Sequence, residues 1–234
     1  MDGDDARTLA GIELFEDFGE ADRRALEAKC RWRRCKKGER ILDVGSESRE
    51  VFFVVRGAVN VVNASPAGRE VSFATIGTGD CFGELSAVDG KPRSASVIAS
   101  EDTLLAVMPS RSFVELLQSR AAIAFRLLQR LTQMVRTGDL RIMELSTLAA
   151  SHRVYAELLR MAEPDAAVPA RWVVRPLPPL REIAGRVSTT RETVARALSQ
   201  LYASGLARRS GRALYITDHD KFQGFVRSLT VEGS

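Results

Sequence analysis

A series of short apolar segments, each bounded by glycine, most narrowly limits the fold of this chain. These segments occupy residues 41–44, 51–55, 59–62, 71–76, 96–99 and 104–108. The glycines that separate them stand at positions 38, 45, 57, 68, 79 and 90. Short β-branched runs between turn residues predict strands, and a succession of them predicts a small antiparallel barrel or roll. Residues 66–68, between two of the runs, predict a hairpin turn.

The spacing of apolar residues changes after Pro109 from a period of two to a period near 3.6. It predicts a short helix over residues 110–118 and a long helix over about 120–148. The long helix carries a heptad seam formed by Leu128, Leu131, Val135, Gly138, Ile142, Leu145 and Ala149. A helix of about 29 residues spans roughly 43 Å, which exceeds one small barrel, so we expect the seam to pair with a second subunit. The alternative is an apolar face that packs only on its own barrel.

Residues 82–97 carry groups that suit a phosphodiester. Gly83 lets the backbone approach a ligand closely, and the amides of residues 84–86 form the first turn of a short helix, where unpaired N–H groups bind anions. Arg93 adds a planar cation for two phosphate oxygens, and Ser94 adds a hydroxyl donor. Glu84 accepts hydrogen bonds only, so its expected partner is a hydroxyl such as a ribose 2′-OH. The alternative is a surface turn with an ordinary Glu84–Arg93 ion pair.

The segment Phe82-Gly-Glu-Leu, followed by Pro92-Arg-Ser-Ala, resembles the phosphate-binding cassette of cyclic-nucleotide-binding domains. The resemblance implies that the residues at positions 83, 84, 93 and 94 hold the ribose and the cyclic phosphate. The ligand contacts expected in this segment are Phe82, Gly83, Glu84, Leu85, Ser86, Arg93, Ser94 and Ala95. The glycine spacing of the predicted barrel is also similar to that of the cyclic-nucleotide fold.

The base of such a nucleotide is expected to lie against the long helix. In the related bacterial receptors, hydroxyl side chains touch the purine at about this height, whereas this chain has Thr137, Gly138 and Asp139 there. The Asp139 carboxylate can accept from guanine N1 and N2, and Ser94 can reach a syn guanine, so both cAMP and cGMP stay open as ligands. Thr137 and Asp139 are therefore predicted ligand contacts. The alternative for Asp139 is a solvated position on the helix flank.

Residues 180–201 have the spacing of a helix-turn-helix. Ile183, Ala184 and Val187 form one short apolar helix face, and a second face follows from Val194 to Leu201. The connection over residues 187–189 is tight, and Thr189 with Glu192 predicts a capping box for the second helix.

The exposed N-terminal part of that second helix is the part that enters a major groove. Arg191 and Arg196 can each bind guanine O6 and N7, and Glu192 can accept from cytosine N4. Thr190 and Thr193 are better placed for backbone phosphates. The alternative is a charged helix that only faces solvent.

The run Arg191-Glu-Thr-Val-Ala-Arg196 resembles the recognition helix of the cyclic-AMP receptor family of transcription regulators, and the resemblance now covers nearly the whole chain. Residues 206–216 are similar to the β-wing of that family, which implies that Arg212 lies near a DNA phosphate. The resemblance implies a homodimer whose bound nucleotide repositions two reading heads on double-stranded DNA. It also implies a palindromic site with a TGTGA-like core and RNA polymerase as a partner.

Charge is unevenly distributed along the chain, whose net charge is +4. Residues 151–234 contain 13 Lys and Arg against 8 Asp and Glu, a balance of +5, which leaves 21 against 22, or −1, for residues 1–150. The basic excess predicts that the C-terminal third meets nucleic acid. No apolar run approaches the ~18 residues of a membrane span, and the acidic start lacks the features of a secretion signal, so we expect a cytoplasmic protein that contacts no membrane.

The numbers and positions of the cysteines and histidines limit the metal centres that the chain could hold. Cys30, Cys35 and Cys81 are too few for an iron–sulfur cluster held by four thiolates, and reduced thiols are their expected state. The two histidines, His152 and His219, lie outside the first 150 residues, which argues against a histidine-ligated metal or haem centre in the barrel.

These patterns predict an α+β fold in three parts. A cyclic-nucleotide-binding β-roll with short flanking helices is expected at residues 1–118, a long dimerisation helix at 119–149, and a winged helix-turn-helix at 150–234. The expected function is a DNA-binding transcription regulator that responds to cAMP or cGMP, without catalysis, cofactor or metal. The alternatives are a sensor of redox state or of another metabolite on the same scaffold, and a small-barrel metal enzyme.

Overall fold

The structure is a computed structural model that describes residues 7–64, 70–166, 168 and 171–231. The chain divides into two units, Met1–Met134 and Val135–Ser234, and the boundary falls within one long helix. Each unit has buried core residues of its own. No helix in the described ranges is both long and apolar enough to cross a bilayer.

The first unit is built on two four-stranded sheets in which every pairing is antiparallel. Its strands are β1 (Arg31–Cys35), β2 (Arg40–Leu42), β3 (Val51–Arg56), β4 (Ala58–Ala64), β5 (Glu70–Gly77), β6 (Cys81–Phe82), β7 (Ser96–Ala99) and β8 (Thr103–Met108). The strand orders are β1-β8-β3-β6 and β2-β7-β4-β5. This arrangement confirms the predicted antiparallel roll. The hairpin turn predicted at residues 66–68 lies outside the described residues.

Strand β3 shows why this sequence makes a two-layered core. Successive side chains of a strand point to opposite faces. Val51 and Phe53 therefore join one buried cluster, with Phe15 and Phe113, while Phe52 and Val54 join the other cluster inside the roll. These first four residues of β3 are all buried, which explains the continuous apolar run.

Short helices cover the outer face of this roll. They are a 3-10 turn (Glu13–Phe15), α1 (Glu20–Glu27), α2 (Glu84–Asp89) and α3 (Ser110–Ser119). Helix α3 starts after Pro109, and no side chain caps it, although Ser110 stands at its first position.

Helix α4 (Ala121–Thr147) is the long helix and begins and ends within one residue of the predicted bounds. Its first turns are held to the roll by Ile123 and Leu127, which are buried. The later seam residues are open to solvent in the single chain. Leu128, Val135, Ile142 and Leu145 expose 59, 63, 66 and 49% of their surface.

The second unit contains helices and a small antiparallel sheet. Its elements after α4 are α5 (Ala150–Arg160), β9 (Glu163–Pro164), β10 (Trp172–Val174), α6 (Leu180–Arg186), α7 (Arg191–Ala203), β11 (Ala207–Ser210), β12 (Ala213–Ile216) and α8 (His219–Val231). The strand order is β11-β12-β10-β9. The core is formed by Leu158, Ile183, Val194, Leu201 and Phe222, among others, all nearly inaccessible. The predicted winged helix-turn-helix is confirmed.

Candidate ligand pocket and nucleic-acid interface

Gly83 joins β6 to α2 in a left-handed conformation, with φ of 86°. A Cβ atom at this position would lie 2.7 Å from Nη1 of Arg93 and 2.8 Å from the carbonyl oxygen of Glu50. Both distances are shorter than real Cβ contacts. Atoms of the chain itself therefore already require glycine at this position, and close approach of a ligand to Gly83 stays a prediction.

Arg93 is the central group of this candidate site and exposes only 3% of its surface. Its Nε donates to Oγ of Ser48 at 3.0 Å, Nη1 donates to the Gly83 carbonyl at 2.8 Å, and Nη2 donates to the Glu50 carbonyl at 2.7 Å. All three acceptors are neutral. A guanidinium has five N–H donors, so two remain for a further acceptor. Among the described residues, the buried cation therefore has no ion-pair partner.

Two aromatic rings fix the position of this guanidinium. The Phe52 and Phe82 rings stack with centroids 4.9 Å apart and planes 4° apart. The Cζ atom of Arg93 lies 5.8 Å from the Phe52 centroid, within the range of a cation–π contact. Phe82, predicted as a ligand contact, is buried and supports the ring beneath Arg93. Its own contact with a ligand stays a prediction.

Glu84 is the second buried charge of the pocket and exposes 4% of its surface. Burial raises the pKa of its carboxyl, against the opposing effects of its own backbone N–H and the charge of Arg93. Burial also lowers the pKa of Arg93. No ion pair joins the two side chains in the described part of the chain, since Arg93 donates to Ser48, Gly83 and Glu50 instead. The alternative of an ordinary surface ion pair is therefore wrong.

The other predicted pocket residues differ in exposure. Ser94 is exposed, Ala95 is half-buried, Leu85 exposes 39% of its surface and Ser86 is buried. The structure brings residues 82–86 and 93–95 together in the first unit. Thr137 and Asp139 are exposed residues of α4 in the second unit, and their contact with a nucleotide stays a prediction.

Sequence reasoning missed the segment that holds Arg93 in place. The backbone N–H of Arg93 donates to the Ser46 carbonyl at 2.9 Å, and the Gly45 N–H donates to the Arg93 carbonyl at 2.8 Å. Ser48 and Glu50 then receive the side chain. These acceptors lie more than 40 residues away in sequence, and most are main-chain atoms that carry no side-chain signal.

In the second unit, α6 and α7 form the helix-turn-helix, and Ser188 makes the turn between them with φ of 51°. This left-handed conformation is uncommon for a residue with a Cβ. Arg153 of α5 satisfies the carbonyls around it. Its Nε donates to Val187 at 3.0 Å, Nη2 to Ser188 at 3.3 Å and Nη1 to Leu148 at 2.7 Å.

The cap of α7 is one residue later than the predicted capping box. Thr190, not Thr189, is the N-cap, and its hydroxyl oxygen accepts from the Thr193 N–H at 3.2 Å. Thr189 is buried. The backbone N–H of Glu192 and the Thr190 hydroxyl hold the pKa of the Glu192 carboxyl below its ordinary value. Glu192 is therefore an anion that only accepts hydrogen bonds.

The exposed face of α7 carries the side chains predicted to read bases. Arg191, Glu192 and Arg196 are exposed, and Thr193 is half-buried. Val194, Ala197, Leu198 and Leu201 point into the core. Arg196 forms no ion pair with any described residue, so its guanidinium is available to a partner.

The wing turn follows α7. Gly211 adopts φ of 58°, and Arg212 beside it is exposed. Behind the turn, three arginines surround Tyr215 of β12. Arg171, Arg208 and Arg175 have Cζ atoms 4.7, 5.4 and 5.6 Å from the ring centroid. Arg171 is ion-paired with Asp165, whereas Arg175 and Arg208 are exposed, so the latter two add positive charge beside the wing that suits phosphates.

Two family models match the chain. The first describes a cyclic nucleotide-binding domain and matches residues 32–120. The second describes a Crp-like helix-turn-helix domain and matches residues 152–225. The first range includes the pocket around Arg93, and the second includes α6, α7 and the wing.

Known proteins resemble the chain over most of its length. It is 32% identical over 174 residues to a cyclic AMP receptor protein of Thermus thermophilus, covering 74% of this chain and 77% of that protein. The solved structure of FixK2 from Bradyrhizobium japonicum has a TM-score of 0.70 and 26% identity, covering 83% and 96% of the two chains. The c-di-GMP-responsive global regulator CLP of Xanthomonas campestris has a TM-score of 0.67 and 21% identity, covering 81% and 94%.

Proposed function

Because this chain belongs to the cyclic-AMP receptor (CRP/FNR) family of transcription regulators, we propose that cAMP or cGMP binds at Arg93 and controls its affinity for DNA. Members of this family are transcription regulators and not enzymes. This chain is accordingly a transcription regulator. We place it in the cytoplasm, where DNA is accessible, with RNA polymerase as a further partner.

The observation that carries the proposal is a pair of buried charged side chains, Arg93 and Glu84, that form no ion pair with each other or with any other described residue. Arg93 donates only to neutral acceptors, and the Glu84 carboxyl is removed from water nearby. An anionic phosphate would give Arg93 a charged acceptor, and such hydrogen bonds are roughly twice as strong as neutral ones. A ribose hydroxyl would donate to Glu84, which favours its ionised form.

The nature of the base depends on α4. The relative named a cyclic AMP receptor protein favours cAMP. Asp139 is exposed, and its carboxylate suits the N1 and N2 donors of guanine, which favours cGMP. Both nucleotides share the cyclic phosphate and the ribose, so the pocket around Arg93 serves either one.

DNA recognition is assigned to α7 and the wing. Arg191, Glu192 and Arg196 would contact base edges in a major groove, whereas Thr190, Thr193 and Arg212 would contact phosphates. We propose a palindromic site with TGTGA-like halves. Two α7 helices must lie ~34 Å apart to meet successive major grooves, and the nucleotide would shift the population of dimers toward that spacing.

The exposed seam of α4 supports a homodimer. A soluble chain rarely leaves a row of large apolar side chains in water, and Leu128, Val135, Ile142 and Leu145 all expose about half of their surface or more. The repeat of three and four residues suits a two-stranded coil.

Sedimentation of two matched variants tests the dimer. Ile142 lies on the seam and Leu140 lies off it, and they expose 66% and 64% of their surface. Ile142→Asp should give monomers at concentrations where the wild type is dimeric, because it places two carboxylates in the seam. Leu140→Asp should remain dimeric. Dissociation by Leu140→Asp and not by Ile142→Asp would move the interface to another face of α4.

Calorimetric titration with cAMP and with cGMP tests the ligand pocket. Arg93→Lys keeps the charge but loses the planar fork, so nucleotide affinity should fall by at least tenfold, about 1.4 kcal/mol. Circular dichroism checks that the variant is folded. Ser100→Ala, which removes a hydroxyl bound to the Ala58 carbonyl away from the pocket, serves as the control. Undiminished nucleotide affinity in folded Arg93→Lys would overturn the assignment.

A thiol-based redox sensor finds less support. Burial raises the pKa of the Cys81 thiol well above its ordinary value, and burial raises the pKa of Cys30 to about 11. The reactive form of cysteine is the thiolate. Both thiols are therefore less readily ionised than an ordinary cysteine, which disfavours a sensor that depends on their thiolates.

A further inference from the structure

Arg130 of α4 reaches back to the strand that leads into the ligand pocket. Its guanidinium forms an ion pair with Asp80, and Nη2 donates to the Cys81 carbonyl at 2.6 Å. The side chain is largely buried, with 23% exposed. A planar fork is the group best suited to hold a carboxylate and a neighbouring carbonyl together. α4 is thus tied to the first residue of β6.

The other end of this strand is held by Arg93. β6 consists of Cys81 and Phe82 and pairs with β3, and Gly83 follows it directly. The Gly83 carbonyl accepts from Nη1 of Arg93. Residues 80–83 therefore lie between two arginines, one that belongs to the pocket and one that belongs to α4.

We propose that Arg130 is the positioning residue that transmits nucleotide binding at Arg93, through residues 80–83, to helix α4. The inference rests on the proposed function, since it assumes that a nucleotide phosphate binds Arg93. It goes beyond that function by naming the link through which the occupied pocket acts on the helix.

The physical basis is that Nη1 of Arg93 can serve the Gly83 carbonyl and a ligand at once, since one of its two N–H groups donates to that carbonyl and the other remains. A phosphate oxygen is a stronger acceptor than the neutral Gly83 carbonyl, so a phosphate bound to the remaining N–H draws Nη1 toward itself. Because the Gly83 carbonyl is bound to the same nitrogen, this shift acts on the backbone at Gly83, and β6 can adjust. Because Arg130 binds both the carboxylate and the carbonyl at the start of this strand, the adjustment acts on α4 at Arg130. Coupling needs such an element, one whose position both sites influence.

Arg126 provides a matched comparison on the same helix. It lies one turn before Arg130, and its side chain has nearly the same exposure, 20%. It forms ion pairs with Glu16 and Asp17 and lies 3.4 Å from the Leu14 carbonyl. Its contacts lie in the N-terminal segment and do not include β6. Loss of Arg126 therefore removes a similar tether without touching the strand beside the pocket.

The experiment measures two quantities for the full-length wild type, Arg130→Met and Arg126→Met. Calorimetry gives the affinity for cAMP and for cGMP, and fluorescence anisotropy gives DNA affinity with and without saturating nucleotide. The ratio of the two DNA affinities is the coupling factor, which is typically 5- to 150-fold in allosteric proteins. A purely structural role of Arg130 would lower the melting temperature and leave this factor unchanged.

We expect Arg130→Met to bind nucleotide. Its coupling factor should be at least fivefold smaller than that of the wild type. Arg126→Met should keep it. Arg130→Lys should restore part of it, because an ammonium reaches Asp80 but lacks the fork for the Cys81 carbonyl as well. An Arg130→Met protein with the wild-type coupling factor would overturn the inference and leave the proposed function intact. A wild type that binds neither nucleotide would overturn the proposed function and the inference with it.

Asp80→Asn keeps the test decisive if Arg130→Met fails to fold. The amide oxygen can still accept from the Cys81 N–H, which donates to Asp80 at 2.8 Å, while the ion pair with Arg130 is lost. This variant should also show a reduced coupling factor. An unchanged factor would count against the inference in the same way.

Discussion

Arg93 and Arg196 have the same side chain, but the first is buried and the second is exposed. Arg93 exposes 3% of its surface, and three neutral acceptors of the chain itself hold it. Arg196 stands exposed on α7 without an ion-pair partner in the described ranges. The first cation is removed from water before any ligand arrives, and burial lowers its pKa. The second stays hydrated until its partner displaces the water.

The contrast between the buried and the exposed arginine indicates where stability and function are coupled. A buried cation is part of the core that supports it, so we expect changes around Arg93 to affect both folding and the proposed ligand binding. An exposed cation contributes little to folding, so changes at Arg196 affect DNA binding alone. The same contrast extends to the glycines and the glutamates of the two regions.

The largest effect is expected from Gly83→Ala in the pocket. The new methyl group meets Arg93 and the Glu50 carbonyl at less than 3 Å, and the residue must also keep φ of 86°. Overpacking and left-handed strain each cost about 1 to 3 kcal/mol, so the free energy of unfolding should fall by roughly 3 kcal/mol. Urea denaturation measures it.

Gly211→Ala in the wing is the control for this prediction. Gly211 also has positive φ, 58°, but a Cβ there has no heavy atom within 4 Å. Only the backbone strain remains, and the cost should be about 1 kcal/mol. Equal losses in the two variants would mean that the pocket is not tightly packed around Gly83.

The second effect is on DNA binding. Arg196→Ala should weaken binding to the palindromic site by about 1 to 3 kcal/mol and relax the preference at one guanine. Its free energy of unfolding should change by less than about 0.5 kcal/mol. Anisotropy titrations with single-base variants of the site measure the preference. A uniform loss on every DNA sequence would instead make Arg196 a phosphate contact.

The smallest effect separates the two glutamates by the pH dependence of stability. Burial raises the pKa of Glu84 in the folded state, so the folded protein holds its proton more tightly than the unfolded chain. Stability from this group is present below the ordinary pKa and is lost as the pH rises through the raised pKa. Relative to the wild type, Glu84→Gln should therefore gain stability with rising pH.

Glu192→Gln should show the opposite slope. The pKa of Glu192 is lowered, chiefly by its own backbone N–H, so its contribution is present above the ordinary pKa and is lost as the pH falls. Urea denaturation of both variants from about pH 3 to pH 7, a range that extends below the ordinary glutamate pKa, makes the comparison. Parallel slopes would show that the two carboxyls do not differ in environment.

The periodicity of the sequence was sufficient to predict the position of the strands that are apolar. Val51–Arg56 and Thr103–Met108 extend the predicted segments by a single residue each. Strand β1 was missed because its sequence, Arg31-Trp-Arg-Arg-Cys35, has no apolar alternation. Its arginines reach acidic partners instead, as Arg33 does with Glu39 at 2.9 Å. Ion pairs of this kind leave no periodic signal.

The candidate site was predictable where the signal is local. Residues 82–86 and 93–95 form a short motif, and the structure brings them together in the first unit, while their contact with a ligand stays a prediction. The partners of Arg93 were not predictable, because Glu50 contributes only its carbonyl, which any residue could provide. The cap of α7 was placed one residue early since Thr189 and Thr190 are chemically alike. The positive φ of Ser188, which extends the turn, has no signature in a serine.

The central claim is that the pocket around Arg93 and the face around Arg196 are energetically coupled. The most direct measurement is the affinity of the full-length protein for cAMP and for cGMP, with and without saturating palindromic DNA. Coupling free energies are reciprocal, so DNA should tighten nucleotide binding by the same factor by which the nucleotide tightens DNA binding. We predict a factor of about 5 to 150 for one nucleotide. The same affinity with and without DNA, for both nucleotides, would contradict the account.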